Sequence, residues 1–285
     1  MFNKLIIGTA NFGARYGYKK HKISKNELNK IFKFCKKNKI NSYDTASSYK
    51  NSETTIGKYN LNGDLIYSKI PQIPKDTINI EQWIFKKFFK SLRSLGLKKI
   101  EGIYIHHQED LLRKKSSEIY KTLIKLKKLG YVKKIGVSIY DLKKLKKIIS
   151  LYNVDMVQVP INIFDRRFLD KQLIDLITKK KIELNARSIF LQGILLKSRR
   201  NLNKKFVDLD NKTFQNWYSW IAKKKISQLD ACISFIKSLK TVSNIIIGIN
   251  NLEQLKMIFT SLKKSKKYPK NIFSKKKKLI DIRKW

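Results

Sequence analysis

Hydrophobic positions along the chain form two patterns that alternate from one end to the other. Short apolar runs, typical of buried strands, are each followed by a longer segment whose apolar residues recur every three or four positions, as in amphipathic helices. Ser24 and Glu27 predict a capping box that opens the first helix. Eight such pairs favour a closed parallel barrel over an open doubly wound sheet. The predicted fold class is therefore α/β, a single-domain (β/α)8 TIM barrel, with the strands LIIGT, INSYD, DLIYSK, GIYIH, VKKIGVS, VDMVQVP, IELNARS and NIIIGI.

Two segments fall outside this alternation. A polar insertion over about 197–225 contains Trp217, Tyr218 and Trp220, and it is predicted to be a loop with a short helix on the catalytic rim. The tail over about 263–285 is the most concentrated basic stretch, and it is predicted either to cap the barrel or to extend into solvent. It contains no long apolar segment that would close a pocket, so we expect an open, fairly polar site.

The net charge of +43 raises the question of nucleic-acid binding. Only nine of the 64 basic residues are arginine, and the lysines are spread along almost every predicted helix. Proteins that recognise a specific nucleic-acid sequence concentrate their positive charge on one face and favour arginine. We therefore attribute the charge to a compositional bias and expect no specific nucleic-acid partner.

Location and cysteine chemistry are constrained by what the sequence lacks. The chain shows no apolar run long enough to span a bilayer and no secretory signal pattern at its start, so we expect a cytoplasmic protein without membrane association. Cys35 and Cys232 are too few for a disulfide framework and have no zinc-ligand spacing. Both are predicted to fill the core, and no metal is expected.

Four polar residues lie at or just after the ends of predicted strands. They are Asp44, Tyr49, Lys69 and His106. In a parallel barrel the carboxyl ends of the strands form the active-site face, so these side chains are expected to converge there. Each residue alone is more typical of a turn, a cap or a packing position. The set together favours an enzyme.

The sequences around these strand ends resemble those of the aldo/keto reductase superfamily. The resemblance covers nearly the whole chain in the correct order, so coincidence is an unsatisfactory explanation. It implies a NAD(P)-dependent oxidoreductase barrel in which Asp44, Tyr49, Lys69 and His106 occupy the positions of the catalytic tetrad. The matching segments are GTANFGARYG (8–17), DTASSYKNSE (44–53), SKI (68–70), IYIHH (103–107), GVSIYD (136–141), QVPINIFDRR (158–167), ARSIFLQGIL (186–195) and IIGINNLEQL (246–255).

The chemistry of carbonyl reduction explains the four residue types. Hydride addition leaves negative charge on oxygen, so a proton donor must lie within hydrogen-bonding distance, and Tyr49 is the candidate. A nearby ammonium, Lys69, is expected to lower the pKa of the phenol, and Asp44 to keep Lys69 protonated and oriented. His106 is expected to donate a hydrogen bond to the substrate carbonyl.

The resemblance also implies a cofactor site, although no GxGxxG motif supports a Rossmann arrangement. Ser138 and Gln158 would bind the nicotinamide amide, and the segment after Arg187 would lie along the ring and the pyrophosphate. Where many relatives carry a lysine and an arginine for the 2′-phosphate, this chain has Gly248 and Gln254, so NADP(H) and NAD(H) both remain open. The predicted cofactor-binding residues are Gly8, Thr9, Asp44, Ser138, Gln158, Arg187, Ser188, Phe190, Leu191, Gly193, Gly248, Asn250 and Gln254.

These expectations favour a NAD(P)-dependent oxidoreductase that acts on a small-molecule carbonyl or alcohol. An aldehyde, a ketone or a sugar carbonyl would fit an open polar site. The alternative is a cofactor-binding regulatory or partner subunit on the same barrel without significant turnover. The sequence leaves the substrate, the oligomeric state and the role of the basic tail open.

Overall fold

Eight parallel strands form the frame of the protein. The computed structural model describes residues 5–13, 23–264 and 267–285. Each strand pairs with the next, and the last pairs with the first, so the sheet closes into a barrel. The predicted (β/α)8 barrel is confirmed. The strands are β1 (Leu5–Gly8), β2 (Ser42–Asp44), β3 (Leu65–Ile70), β4 (Ile100–Ile105), β5 (Val132–Ser138), β6 (Met156–Pro160), β7 (Glu183–Arg187) and β8 (Val242–Gly248).

Helices connect the strands and cover the outside of the barrel. They are α1 (Lys25–Lys37), α2 (Ser52–Ile56), α3 (Ile80–Leu95), α4 (Ser116–Lys128), α5 (Leu142–Leu151), α6 (Lys171–Lys179), α7 (Lys204–Leu209), α8 (Asn211–Lys224), α9 (Gln228–Ser238), α10 (Leu252–Lys263) and α11 (Lys277–Ile280). Across the described ranges, no helix is long and apolar enough to cross a membrane. Residues 14–17 of the predicted first motif, and residues 265 and 266 of the basic tail, lie outside the described residues.

The predicted capping box at the start of α1 is half right. The Ser24 side chain accepts a hydrogen bond from the Glu27 amide, as expected. The Glu27 carboxylate does not return the contact to Ser24. It accepts a hydrogen bond from the amide of Leu252, the first residue of α10, at 2.5 Å. The reason is barrel closure, which brings α1 beside α10 and gives the carboxylate an unpaired helix N-terminus to bind.

The insertion after β7 is more helical than predicted. In place of a loop with one short helix, α7 and α8 follow each other, and α8 alone has 14 residues. Asp210 caps α8 by accepting from the Thr213 amide. Trp217 is fully buried and lies edge-on to Phe164, with ring centroids 6.2 Å apart. Its burial anchors α8 against the barrel.

The C-terminal tail packs on the barrel, the first of the two predicted alternatives. The Arg166 guanidinium donates hydrogen bonds to the carbonyl oxygens of Pro269, Lys270 and Ile272 and so holds the incoming chain. Leu279 and Ile280 of α11 are then buried. The tail therefore covers part of the rim despite its lysines.

Large side chains fill the barrel interior below the active-site face. Tyr67, Tyr104 and Met156 form one buried layer with two isoleucines. Met156 packs so close to β5 that a Cβ atom at Gly136 would lie 2.1 Å from the Met156 carbonyl oxygen, which requires glycine there. Both cysteines are free and buried outside the barrel lumen, so their predicted core role is confirmed. The filled interior leaves the carboxyl ends of the strands as the place for a site.

Candidate active site

A buried ion pair joins the ends of β2 and β3. The Lys69 ammonium donates to Asp44 Oδ1 at 2.6 Å and to the Thr45 carbonyl oxygen at 2.8 Å. The second carboxylate oxygen of Asp44 accepts from the Gln158 side-chain amide at 2.7 Å. The lysine side chain is inaccessible to solvent and that of Asp44 is 5% exposed. Such a pair is tolerated because both charges are matched and hydrogen-bonded.

Tyr49 lies in the loop after β2, next to this ion pair. The Lys69 ammonium is 4.9 Å from the centroid of the Tyr49 ring. The ring of His106, just after β4, meets the Tyr49 ring edge-on with the centroids 5.8 Å apart. The Ser48 hydroxyl is 3.0 Å from His106 Nδ1 and fixes the orientation of the imidazole. The structure thus brings together all four residues of the predicted tetrad.

The protonation states of the two rings are set mainly by burial. Burial, followed by the negative charge of Asp44, raises the pKa of Tyr49 above its ordinary value, whereas Arg187 lowers it. The net result is a raised pKa because burial outweighs the charges around the phenol, and the lowering expected from Lys69 in particular stays a prediction. Burial and the positive charges of Lys69, His107 and Arg187 lower the pKa of His106 to about 3. Near neutrality the site therefore holds a protonated phenol and a neutral imidazole.

Two predicted nicotinamide residues lie beside the ion pair. The Ser138 hydroxyl, at the end of β5, donates to Gln158 Oε1 at 3.3 Å. Gln158, on β6, donates in turn to Asp44, and both side chains are buried. Each amide and hydroxyl still has hydrogen-bonding capacity beyond these contacts. A carboxamide could therefore bind here without displacing the ion pair.

The loop after β7 has an uncommon backbone. Ser188, Leu191 and Gln192 all have positive φ values, of 57°, 47° and 55°, and Gly193 follows at 86°. Within this turn the amides of Leu191 and Gly193 donate to the carbonyl oxygens of Ser188 and Phe190, so the other amides of the loop are the ones left for an anionic ligand. Leu191 is fully buried and Phe190 is 8% exposed. A ligand at this loop would therefore meet mostly backbone, because these two side chains pack into the core.

The predicted adenosine side of the site is largely bonded internally. Gln254 Oε1 accepts from the amide of Asn250 at 2.9 Å, and Asn250 Oδ1 accepts from Asn11 at 2.8 Å. The Thr9 hydroxyl donates to the Asp44 carbonyl oxygen at 3.0 Å. These hydrogen bonds hold the loops that follow β1 and β8 in place. They also leave these side chains with fewer donors and acceptors for a ligand. A Cβ atom added to Gly248 would meet no other atom within 4 Å, so the space above that strand end is open.

Comparison with protein-family models identifies the chain. Residues 4–279 match the model of the aldo/keto reductase family. The chain belongs to this family. Membership makes it an oxidoreductase by class and agrees with the resemblance seen in the strand-end motifs. No curated protein sequence matches it significantly.

Two solved structures with the same fold are distantly related in sequence to this aldo/keto reductase. An aldo-keto reductase from Bacillus halodurans, solved in its holo form, is 16% identical, with 92% of this chain and 87% of that chain covered and a TM-score of 0.70. A glycerol dehydrogenase from Gluconobacter oxydans is 18% identical, with the same coverage of both chains and the same TM-score. At this identity they establish the shared barrel and no finer property.

Two residues of this aldo/keto reductase were not predicted to belong to the site. Tyr140, two residues after the end of β5, stacks against the Arg187 guanidinium, whose carbon is 3.9 Å from the ring centroid. Glu53, on α2, is buried behind Lys69 and accepts a hydrogen bond from the Ser68 hydroxyl at 2.6 Å. Tyr140 could have been predicted as a site residue, because it lies just after the end of a strand. The sequence gives no comparable indication for Glu53, because a glutamate on a short helix is usually exposed.

Proposed function

We propose that this protein is a NAD(P)-dependent oxidoreductase that reduces the carbonyl group of a small molecule. The observation that carries the proposal is the convergence of Tyr49, His106 and the buried pair of Lys69 and Asp44 at the mouth of the barrel, with the pair at 2.6 Å. A buried ion pair is a costly structural feature, and one beside a protonatable ring at the active-site face is typical of acid–base chemistry.

The residues have separate roles in the proposed reaction. The raised pKa keeps the Tyr49 phenol protonated, so that it can donate a proton to the carbonyl oxygen as negative charge develops there. Lys69 lies close enough to stabilise the phenolate left behind, and Asp44 holds the ammonium in place. Neutral His106 can donate a hydrogen bond from Nε2 to the same oxygen when its Nδ1 accepts from Ser48.

The residues around this pair fit a nicotinamide cofactor, which would supply the hydride. Ser138 and Gln158 would hold its carboxamide, and backbone amides of the left-handed loop from Ser188 to Gly193 would hold its phosphates. Three other predicted cofactor residues, Gly8, Asn250 and Gln254, would then form the wall of the adenosine pocket. Asn250 and Gln254 would not bind the adenosine mainly through their side chains, because these bond within the protein.

The end of β8 favours a cofactor without a 2′-phosphate. In barrels of this kind the loops after the last two strands commonly bind phosphate at a helix N-terminus. Here the Glu27 carboxylate already occupies the N-terminal amide of α10, and Gly248 and Gln254 contribute no positive charge. A second anion would be repelled. We therefore propose NADH as the preferred cofactor.

A single substitution tests the proposed function. Purified protein should oxidise NADH or NADPH in the presence of at least one member of an aldehyde panel, followed by absorbance. Tyr49→Phe should lower kcat at least 100-fold, the range expected for loss of a general acid, while the dissociation constant of the cofactor stays within about threefold. Tyr59→Phe is the matched control, because its hydroxyl bonds to Asn29 away from the site and its loss should leave kcat unchanged.

Two results would contradict the proposal. Full activity in Tyr49→Phe would show that the phenol is not the acid. Cofactor binding without turnover of any carbonyl would instead favour the alternative, a regulatory or partner subunit on the same barrel.

A further inference from the structure

Three arginines gather around Tyr140 at the barrel mouth, and they differ in how their charge is balanced. Arg167 donates to the Tyr140 carbonyl oxygen and forms a bidentate pair with Asp165. Arg283, from the C-terminal tail, lies over the Tyr140 ring at 4.2 Å and forms a bidentate pair with Asp281.

Arg187 lies against the same ring at 3.9 Å but has no such partner. Within the described ranges, no carboxylate forms an ion pair with Arg187. Its two hydrogen bonds to protein acceptors are long, 3.5 Å to the Ser188 hydroxyl and 3.4 Å to the Ile139 carbonyl oxygen. A guanidinium has five N–H donors, so most of its hydrogen-bonding capacity remains for a ligand. A partly buried cation without a counter-charge is costly unless a ligand supplies one.

The position of Arg187 places this capacity beside the reacting groups. Arg187 ends β7 opposite Pro160, the last residue of β6, and its guanidinium reaches the Ile139 carbonyl oxygen just beyond β5. Its side chain therefore extends across the end of β6, two residues beyond the Gln158 that holds Asp44. The positive charge of Arg187 lowers the pKa of both Tyr49 and His106. The contact with Tyr140 restricts the movement of the guanidinium, and a guanidinium suits bidentate contact with a planar or tetrahedral oxyanion.

We propose that Arg187 binds an anionic group of the substrate, so that this protein prefers aldehydes or ketones carrying a carboxylate or a phosphate near the carbonyl. The proposal rests on the proposed function and names the substrate class of the same site. It differs from the predicted role of Arg187 along the cofactor, since it assigns the guanidinium to the second reactant.

Matched pairs of aldehydes test the proposal. With the wild type, kcat/KM for 4-formylbenzoate should exceed that for its neutral methyl ester at least tenfold, and succinic semialdehyde should exceed butanal by a similar factor. Glyceraldehyde 3-phosphate against glyceraldehyde then shows whether phosphate serves as well as carboxylate. In Arg187→Gln the ratio within each pair should fall to about one, mainly through KM, because the contact is present in both ground and transition states. Arg187→Lys should give ratios between those of the wild type and Arg187→Gln, because lysine keeps the positive charge but loses the bidentate geometry of the guanidinium.

Arg283→Gln is the matched control, because this arginine contacts the other side of the same ring and is already neutralised by Asp281. Its ratios should equal those of the wild type. Equal kcat/KM within the wild-type pairs would overturn the proposal while leaving the carbonyl reductase intact. Unchanged ratios in Arg187→Gln together with weaker NADH binding would also overturn it and would assign Arg187 to the cofactor.

A binding measurement separates this proposal from the proposed function. Terephthalate carries the same carboxylate as 4-formylbenzoate but has no reducible carbonyl. Calorimetric titration of the NADH-saturated protein should show terephthalate binding that Arg187→Gln weakens at least tenfold and Arg283→Gln does not. That result would support the anion site even if no aldehyde turned over. Equal terephthalate binding by the wild type and Arg187→Gln, or no binding by either, would overturn it.

Discussion

Replacing Lys69 by methionine should destabilise the fold far more than the loss of one contact suggests. At 2.6 Å the attraction between Lys69 and Asp44 is about 6 kcal/mol at an effective dielectric constant of about 20. Desolvation of the two ions costs several kcal/mol each, so the pair contributes little in net terms. Lys69→Met removes the attraction but leaves the Asp44 charge buried, with Gln158 as the one side-chain donor that the described residues still offer it. We expect a loss of about 3–5 kcal/mol in the free energy of unfolding.

A double-mutant cycle isolates this effect. Asp44→Asn should cost a similar amount, whereas the double variant should cost less than the sum of the two by at least about 2 kcal/mol, because no uncompensated charge remains. Urea unfolding followed by circular dichroism at neutral pH gives the four free energies.

An exposed pair with nearly the same separation provides the control. Lys125 and Glu81 are 2.5 Å apart, with side chains 51% and 49% exposed. The corresponding cycle with Lys125→Met and Glu81→Gln should give a coupling below about 1 kcal/mol. Strictly additive costs at Lys69 and Asp44, or a coupling no larger than that of the surface pair, would refute the argument from burial.

Two further predictions concern glutamates, and Glu118→Gln on the exposed face of α4 is the control for both. Burial raises the pKa of Glu53 above its ordinary value, so stability is lost as the pH rises from about 4.5 through the folded pKa. Glu53→Gln should therefore gain stability relative to the wild type as the pH rises above about 4.5 in urea unfolding, and a difference that does not change with pH would contradict it. Glu27→Gln keeps an acceptor for the Leu252 amide but removes the charge there. It should improve NADPH affinity relative to NADH by about two- to fivefold in fluorescence titrations, and an unchanged ratio would show that the carboxylate does not select the cofactor.

The fold and the convergence of the tetrad could be predicted from sequence because both depend on local periodicity and strand order. Asp44 and Lys69 end neighbouring strands and His106 follows the next, and in a parallel barrel those positions must share one face. The helices of the rim insertion were underestimated for the opposite reason. The segment from Lys204 to Lys224 contains five lysines, which favour an exposed segment, whereas α8 is stabilised by the burial of Trp217.

The electrostatics of the site could not be predicted in the same way, because they depend on burial and on contacts between distant parts of the chain. Tyr49 has a raised pKa since desolvation outweighs nearby cations, and desolvation has no sequence signal. Glu27 meets Leu252 only because the barrel closes between β1 and β8. Arg187 and Arg283 both contact Tyr140, but among the described residues only Arg283 has an aspartate partner. If Arg187 binds the substrate as proposed, the choice of substrate depends on which rim charges the rest of the chain has neutralised, and this is determined only once the rim is assembled.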